Sequence, residues 1–259
     1  MNLNLTGRRA LVTGSSSGLG EAIARLLAAE GADVVVHGRD EARTRKVARQ
    51  TGAAAVAIGD LATDEGADAV AAAAGEVDIL VNNAGAYEHI GWAEATSAHW
   101  IRAYEVNVVS AVRMIRRLVP GMRERGWGRV IQIGGGLATQ PTAALPHYNA
   151  TLAARHNLAV SLARELKDTG VTSNVVAPGA ILVDAVQELL TTLAPEHGWG
   201  ESWEEIEPNA SGEVVPNDVG RFGRPEEIAG AVAYLAGPYA DYISGATIRV
   251  DGGTVRSAV

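Results

Sequence analysis

Between residues 10 and 27 the chain changes its hydrophobic period in a way that few folds accommodate. The apolar run Ala10-Leu11-Val12 is followed by Thr13-Gly14-Ser15-Ser16-Ser17-Gly18-Leu19-Gly20. An amphipathic stretch then places Leu19, Ile23, Leu26 and Leu27 on one face. The pattern predicts a strand, a glycine-rich turn and a helix. The amides of such a turn, with the positive end of the helix dipole, make a site for a phosphate-bearing ligand. Glycine is needed where the backbone bends sharply or lies against a pyrophosphate. Taken alone, the stretch also fits a plain tight connection between a strand and a helix.

The rest of the chain repeats the alternation. Strand-like runs at 10–12, 33–36, 55–58, 79–81, 130–133, 171–176 and 247–250 are separated by longer helical patterns. Short β-branched runs spaced in this way predict a parallel sheet covered on both faces, in one domain spanning 1–259. Ligands of such sheets bind beyond the carboxyl ends of the strands. Those ends carry His37-Gly38-Arg39-Asp40, Gly59-Asp60-Leu61, Asn82-Asn83-Ala84-Gly85, Gly134-Gly135-Gly136 and Ala177-Pro178-Gly179. This concentration of small, polar and charged residues favours a dinucleotide over the plain connection. Residues 182–217, with Trp199, Trp203 and three prolines, read as an irregular excursion, either a substrate lid or a simple surface loop. The two tryptophans hint at an apolar, polycyclic ligand.

Composition removes other classes. A net charge of −8 gives no support for binding nucleic acid or an anionic membrane. Arg113, Arg116, Arg117, Arg123 and Arg125 alternate with apolar residues, as expected of a solvated helix face or a subunit contact. There is no cysteine, hence no disulfide or thiolate nucleophile, and the histidines show no metal-ligand spacing. No apolar run approaches ~20 residues, and the first seven residues lack the apolar core of a signal peptide. A cytoplasmic location is expected.

Together these residues resemble the short-chain dehydrogenase/reductase family over essentially the whole chain. The matching pieces are residues 13–20, Asp60, Asn82-Asn83-Ala84-Gly85, Asn107, Tyr148 and Pro178-Gly179. The closing Tyr242-Ile243-Ser244-Gly245 and Val250-Asp251-Gly252-Gly253 complete the match. The resemblance implies a Rossmann-type, doubly wound, seven-stranded parallel sheet and a nicotinamide cofactor. It also implies a homodimer or homotetramer built on the helices that contain Asn107 and Tyr148. It assigns the cofactor to Gly14, Ser16, Ser17, Gly18, Leu19, Gly20, Arg39, Asp60, Leu61, Asn82, Ala84, Gly85, Pro178, Gly179 and Ile181. Asp60 is expected to address the adenine amino group, with Asn82 and Gly85 flooring the adenosine side. Arg39, a cation where an acidic residue would repel a 2′-phosphate, favours NADP(H), with NAD(H) as the alternative. Asp40 is expected to point outward.

Tyr148 and Asn107 are the expected catalytic residues, but three partners depart from the family pattern. The position of the family's lysine, four residues after Tyr148, is Leu152, and that of its serine is Gly135. A threonine that helps hold the nicotinamide amide aligns with Val183. Without the lysine, Tyr148 is expected to be a neutral phenol near the ordinary value of about 10, able to donate a proton but a poor base. Arg155 lies seven residues after Tyr148, a spacing similar to the tyrosine–lysine pair of the enoyl-reductase branch. It is nevertheless expected to face the helix's neighbour, and His156 to lie too deep to reach the cleft. Tyr87, His89, Gly135, Gln140 and Leu152 are the expected substrate contacts. Three functions follow: an NADP(H)-dependent reductase of a ketone, imine or enone; a redox-neutral cyclase, isomerase or lyase; or a non-catalytic homologue.

Overall fold

All seven strand-like runs form strands in the computed structural model, which describes residues 3–257. They are β1 (Arg9–Val12), β2 (Asp33–Gly38), β3 (Ala55–Ile58), β4 (Ile79–Asn82), β5 (Gly128–Ile133), β6 (Val171–Pro178) and β7 (Thr247–Val250). Every pairing is parallel and the order is β3-β2-β1-β4-β5-β6-β7. This is one doubly wound, Rossmann-type sheet in a single domain. Residues 1–2 and 258–259, which the single-domain reading covers, lie outside the described residues.

The apolar runs are continuous because both faces are covered. On one face α1 (Gly18–Ala29) and α9 (Pro225–Ala236) pack Ile23, Leu27, Val232 and Leu235 onto Val12, Val34, Val81 and Ile131. The strand period of two sends the alternate residues Leu11, Val35, Leu80 and Val130 to the other face. There they meet Val70 of α3 (Asp64–Ala74) and Met114 and Leu118 of α5 (Ser110–Glu124). α6 (Pro146–Glu165) completes that layer, and α2 (Glu41–Thr51) follows β2. The order reverses between β1 and β4, which opens a crevice at their carboxyl ends, the place where such sheets bind ligands.

Among the clustered arginines, Arg113 and Arg117 pair with Asp64, Glu105 and Asp68, while Arg123 pairs with Glu165. The row is neutralised within the chain, which both a solvated face and a subunit contact allow. Residues 182–217 are not irregular: they form α7 (Asp184–His197) and α8 (Trp203–Val214). These helices enclose a small core of their own, from Leu190, Ala194, Trp199, Ile206, Ala210 and Phe222. Trp199 is 2% exposed and its indole N–H donates to Glu213 at 2.7 Å, so it is a packing residue of this pair and not a ligand platform.

Candidate active site

The glycine-rich turn is held at the β1–β4 crevice by a network between the loops that follow these two strands. Thr13 Oγ donates to the Val81 carbonyl at 3.2 Å and accepts the Asn83 and Ala84 amides at 3.0 and 2.9 Å. Asn83 Nδ2 donates to the carbonyls of Thr13 and Gly14 at 2.9 and 3.2 Å. Gly14 has φ +65°, the left-handed region that favours glycine. A Cβ on Gly20 would stand 2.3 Å from the Gly14 oxygen, so α1 can rise from its own turn only without one. Leu19 packs against the core, and Gly18 carries Val183 of the β6–α7 connection 3.5 Å from where its Cβ would be.

His37 ties this turn to the next strands. Its Nδ1 accepts the Gly14 amide at 2.8 Å, and its Nε2 lies 3.1 Å from the Gly59 oxygen, which assigns the ring proton to Nε2. Burial lowers its pKa to about 4; the Gly59 hydrogen bond and Asp60 oppose this, and Arg39 adds to it. The ring is therefore neutral at physiological pH.

A cleft of about 470 Å³ opens beside the turn. Gly14, Ser16, Ser17, Arg39, Asp60, Leu61, Ala84, Gly85, Tyr87 and His147 line it, as do Arg43 and Arg102, which the sequence reading missed. Arg43 lies in the first turn of α2, four residues after Arg39, close enough in sequence to have been considered with it. Asp40 caps α2, its carboxylate accepting the Arg43 amide at 2.9 Å. That orientation leaves no carboxylate within ion-pair distance of Arg39 or Arg43 among the described residues. Asp60 accepts the Ala62 amide at 3.0 Å. The Asn82 side chain is buried below the cleft with Nδ2 unpartnered. Gly179 lies against Asp251, with 2.9 Å between its missing Cβ and Asp251 Cα. Pro178 ends β6, and Ile181 is bridged to Gly223.

At the other end of the cleft Tyr148 stands in the first turn of α6. Its ring is 5.5 Å from that of Tyr87, whose ring is 5.4 Å from His89, so the three form an aromatic ladder. Burial raises the Tyr148 pKa above the ordinary phenol; Arg155 opposes this and Tyr87 adds to it. The unperturbed phenol expected from the sequence is thus corrected to one that holds its proton more tightly. Leu152 is 4% exposed, and its Cδ1 lies 3.0 Å from the Cβ that Gly135 lacks. The two face each other as an apolar contact. His156 Nε2 accepts the Gly135 amide at 3.4 Å and would sit 2.3 Å from a Cβ on Gly134. It stays beneath the glycine turn, as expected. The Gln140 amide donates to the Thr254 carbonyl at 3.2 Å and accepts the Arg256 amide at 2.9 Å, which anchors the end of the chain and leaves one N–H and one lone pair of the side chain uncommitted.

Asn107 lies in a π-helical stretch, Glu105–Val109, between α4 (Ser97–Tyr104) and α5. Its side chain exchanges hydrogen bonds with Ala86, 2.7 Å from the amide and 2.8 Å to the carbonyl, and donates to Thr151 Oγ at 3.2 Å. The side chain thereby positions the loop after β4. The π-bulge leaves its main-chain oxygen to accept Arg155 Nε.

The model of the short chain dehydrogenase family matches residues 8–194. An uncharacterized oxidoreductase of Bacillus subtilis, YvaG, is 41% identical over 99% of both chains. The 3-oxoacyl-[acyl-carrier-protein] reductase FabG of Vibrio cholerae is 36% identical, covering 97% of this chain and 98% of its own. Among solved structures, L-sorbose reductase from Gluconobacter frateurii, complexed with NADPH and L-sorbose, superposes with a TM-score of 0.91. It is 35% identical and covers 99% of this chain and 100% of its own. Among the described residues no helix is long and apolar enough to cross a membrane, and no cluster of three metal-ligating side chains is present. The seven-stranded sheet, the turn at its switch point and these matches establish that the chain belongs to the short-chain dehydrogenase family of oxidoreductases.

Proposed function

We propose that this chain is an NADP(H)-dependent reductase of a ketone-, imine- or enone-bearing small molecule, with Tyr148 as proton donor and without the usual serine and lysine. The observation that carries this reading is the pair of unopposed guanidiniums, Arg39 and Arg43, lining the cleft while Asp40 is turned into the α2 cap. A 2′-phosphate would meet two cations there, beside an Asp40 carboxylate that lines the same cleft but accepts the Arg43 amide. The cradle fits the dinucleotide: a Cβ at Gly20 would close the turn at 2.3 Å, and the α1 N-terminus is free of a side-chain cap. L-sorbose reductase and its bound NADPH support the same cofactor choice.

The bound cofactor would supply a hydride. The protein's own part is to hold a proton on Tyr148, keep the Tyr87–His89 flank against the substrate, and exclude water with 182–217, which we read as a substrate lid. An already activated substrate suits a site whose serine position is Gly135 and whose lysine position is Leu152. The apolar Gly135–Leu152 contact favours one alternative, a redox-neutral enzyme using Tyr148 as an acid. Stoichiometry separates the two. The reductase consumes one NADPH per product, and Tyr148→Phe lowers turnover about 100- to 10,000-fold with NADPH affinity unchanged. Product formed without NADPH oxidation would sink the reductase reading.

A further inference from the structure

Arg155 is the buried charge that the assignments above do not use. It is 3% exposed, and no carboxylate lies within ion-pair distance of it among the described residues. Its Nη1 donates to the carbonyls of Ile133 and Asn82 at 2.7 and 3.3 Å. Nε donates to Asn107 and Nη2 to Ala84. A guanidinium has five N–H groups, so four are committed to main-chain oxygens and one on Nη2 remains. That nitrogen lies 3.7 Å from the position of a Cβ on Gly85, at the floor of the cleft.

Burial lowers the Arg155 pKa to about 10, which still leaves it cationic at neutral pH. A buried cation facing only carbonyl dipoles is expensive, and an apolar side chain of similar size would fill the space at lower cost. The position of the charge supplies a reason to keep it. Residue 155 lies two helical turns beyond Tyr148 on the same face of α6, so both side chains are directed to the same side of the helix. The carbonyls that fix it come from β4, β5, the loop after β4 and the π-bulge, four segments meeting directly below the reaction end.

We propose that Arg155 is the positioning cation of this site: from a turn beyond Leu152 it stabilises the negative charge left on the Tyr148 oxygen when the phenol gives up its proton. In that step the O–H bond of Tyr148 breaks, the proton passes to the acceptor atom of the substrate, and the electron pair stays on the phenolate. Arg155 acts through Tyr148 and through the Asn107 carbonyl, without touching the substrate. The inference rests on the reading of Tyr148 as proton donor. The titratable groups acting on Tyr148 are Arg155 and Tyr87, with His89 behind Tyr87 and His147 beside it in the chain.

A polyfluorinated tyrosine at position 148, which ionises near neutral pH, allows the charge to be read by fluorine NMR without substrate or NADPH. Arg155→Gln keeps donors for the carbonyls but removes the charge, and should raise the ionisation midpoint by about one unit or more. Adding Leu152→Lys to Arg155→Gln should bring it back down, and Arg155→Lys should stay within about half a unit of the native chain. A midpoint unmoved by Arg155→Gln overturns the proposal. If Arg155→Gln does not fold, Arg155→Met decides, since an apolar side chain of similar size fills the space at lower cost: a rise of about a unit or more supports the proposal and an unmoved midpoint refutes it. This titration fails or succeeds independently of whether the enzyme consumes NADPH, so it is separable from the reductase reading.

Discussion

The two ends of the cleft are built on opposite principles. At the nucleotide end nearly every polar atom is committed to a neighbour close in the sheet: Thr13 and Asn83 lock the turn to β4, His37 locks it to β2 and β3, and Asp40 caps α2. At the reaction end the neighbours of Tyr148 are largely apolar or aromatic, and Gly135 faces Leu152. The charge there comes from Arg155, held by carbonyls of four separate segments. Both sets of bonds join distant segments, Thr13 with Asn83 over 70 residues and Arg155 with Asn82 over 73, so what differs is the kind of group held: neutral hydroxyls and amides at one end and a buried charge at the other. The nucleotide end should therefore fail when a single hydrogen bond is inverted, and the reaction end when charge or volume is changed.

The largest expected effect is at His37. Its folded pKa of about 4 lies below the unfolded value of 6.5, so the unfolded chain takes up the proton first. Stability from the neutral ring is fully present above pH 6.5 and is lost as the pH falls through about 4, a total of about 3 kcal/mol. Protonation also places a hydrogen on Nδ1 facing the Gly14 amide, so the turn loses its anchor along with the stability. His37→Gln, which can accept from Gly14 and donate to Gly59 without titrating, should flatten this limb in urea melts at pH 7 to about 4. Glu227, held down to about 2 by Arg221 and the Arg224 amide, loses its contribution at lower pH, below its own unfolded value of 4.5, so the two limbs are distinguishable. An unchanged acid limb in His37→Gln would mean that the turn does not depend on this ring.

The nucleotide end was also the more legible from sequence. A turn, a strand end and a helix cap are local, so Gly14, Gly20, Arg39 and Asp60 were found from their neighbours in the chain. The seven strands were visible because parallel strands buried on both faces become uninterrupted apolar runs. Only their ends were missed, as with β2, which runs on to Gly38. The helices of 182–217 were hidden by Pro195 and Pro208 inside them and by Gly198, whose φ of +67° ends α7. The environment of Arg155 could not be read because its partners, Asn82, Ala84, Asn107 and Ile133, lie 22 to 73 residues away. The bonds of Gln140 to a segment 114 and 116 residues downstream were unreadable for a like reason.

A smaller effect is expected where the nucleotide end discriminates between cofactors. Arg39→Ala combined with Arg43→Ala should weaken NADPH binding about 10- to 100-fold, the worth of charge-assisted hydrogen bonds, and leave NADH binding unchanged. Nicotinamide fluorescence titrations with both cofactors check this. Equal weakening of NADH would show that the arginines shape the cleft without recognising a phosphate.

The smallest effect, at the reaction end, tests whether its apolar contact is a real constraint. Gly135 has φ 177°, extended backbone that serine adopts without strain, so only the 3.0 Å approach of Leu152 Cδ1 opposes a side chain there. Gly135→Ser alone should destabilise by about 1 kcal/mol through crowding and leave turnover unchanged, because the new hydroxyl stands against a hydrocarbon wall. With Leu152→Lys in the same chain the branched terminus is gone and the crowding is relieved. The double variant should then be about 0.5–1 kcal/mol more stable than the sum of the single changes. Urea melts of the four proteins measure this coupling. Additive losses would mean that Gly135 and Leu152 do not constrain one another. A positive coupling would mean that they changed as a packed pair, leaving Arg155 as the charge at this end of the cleft.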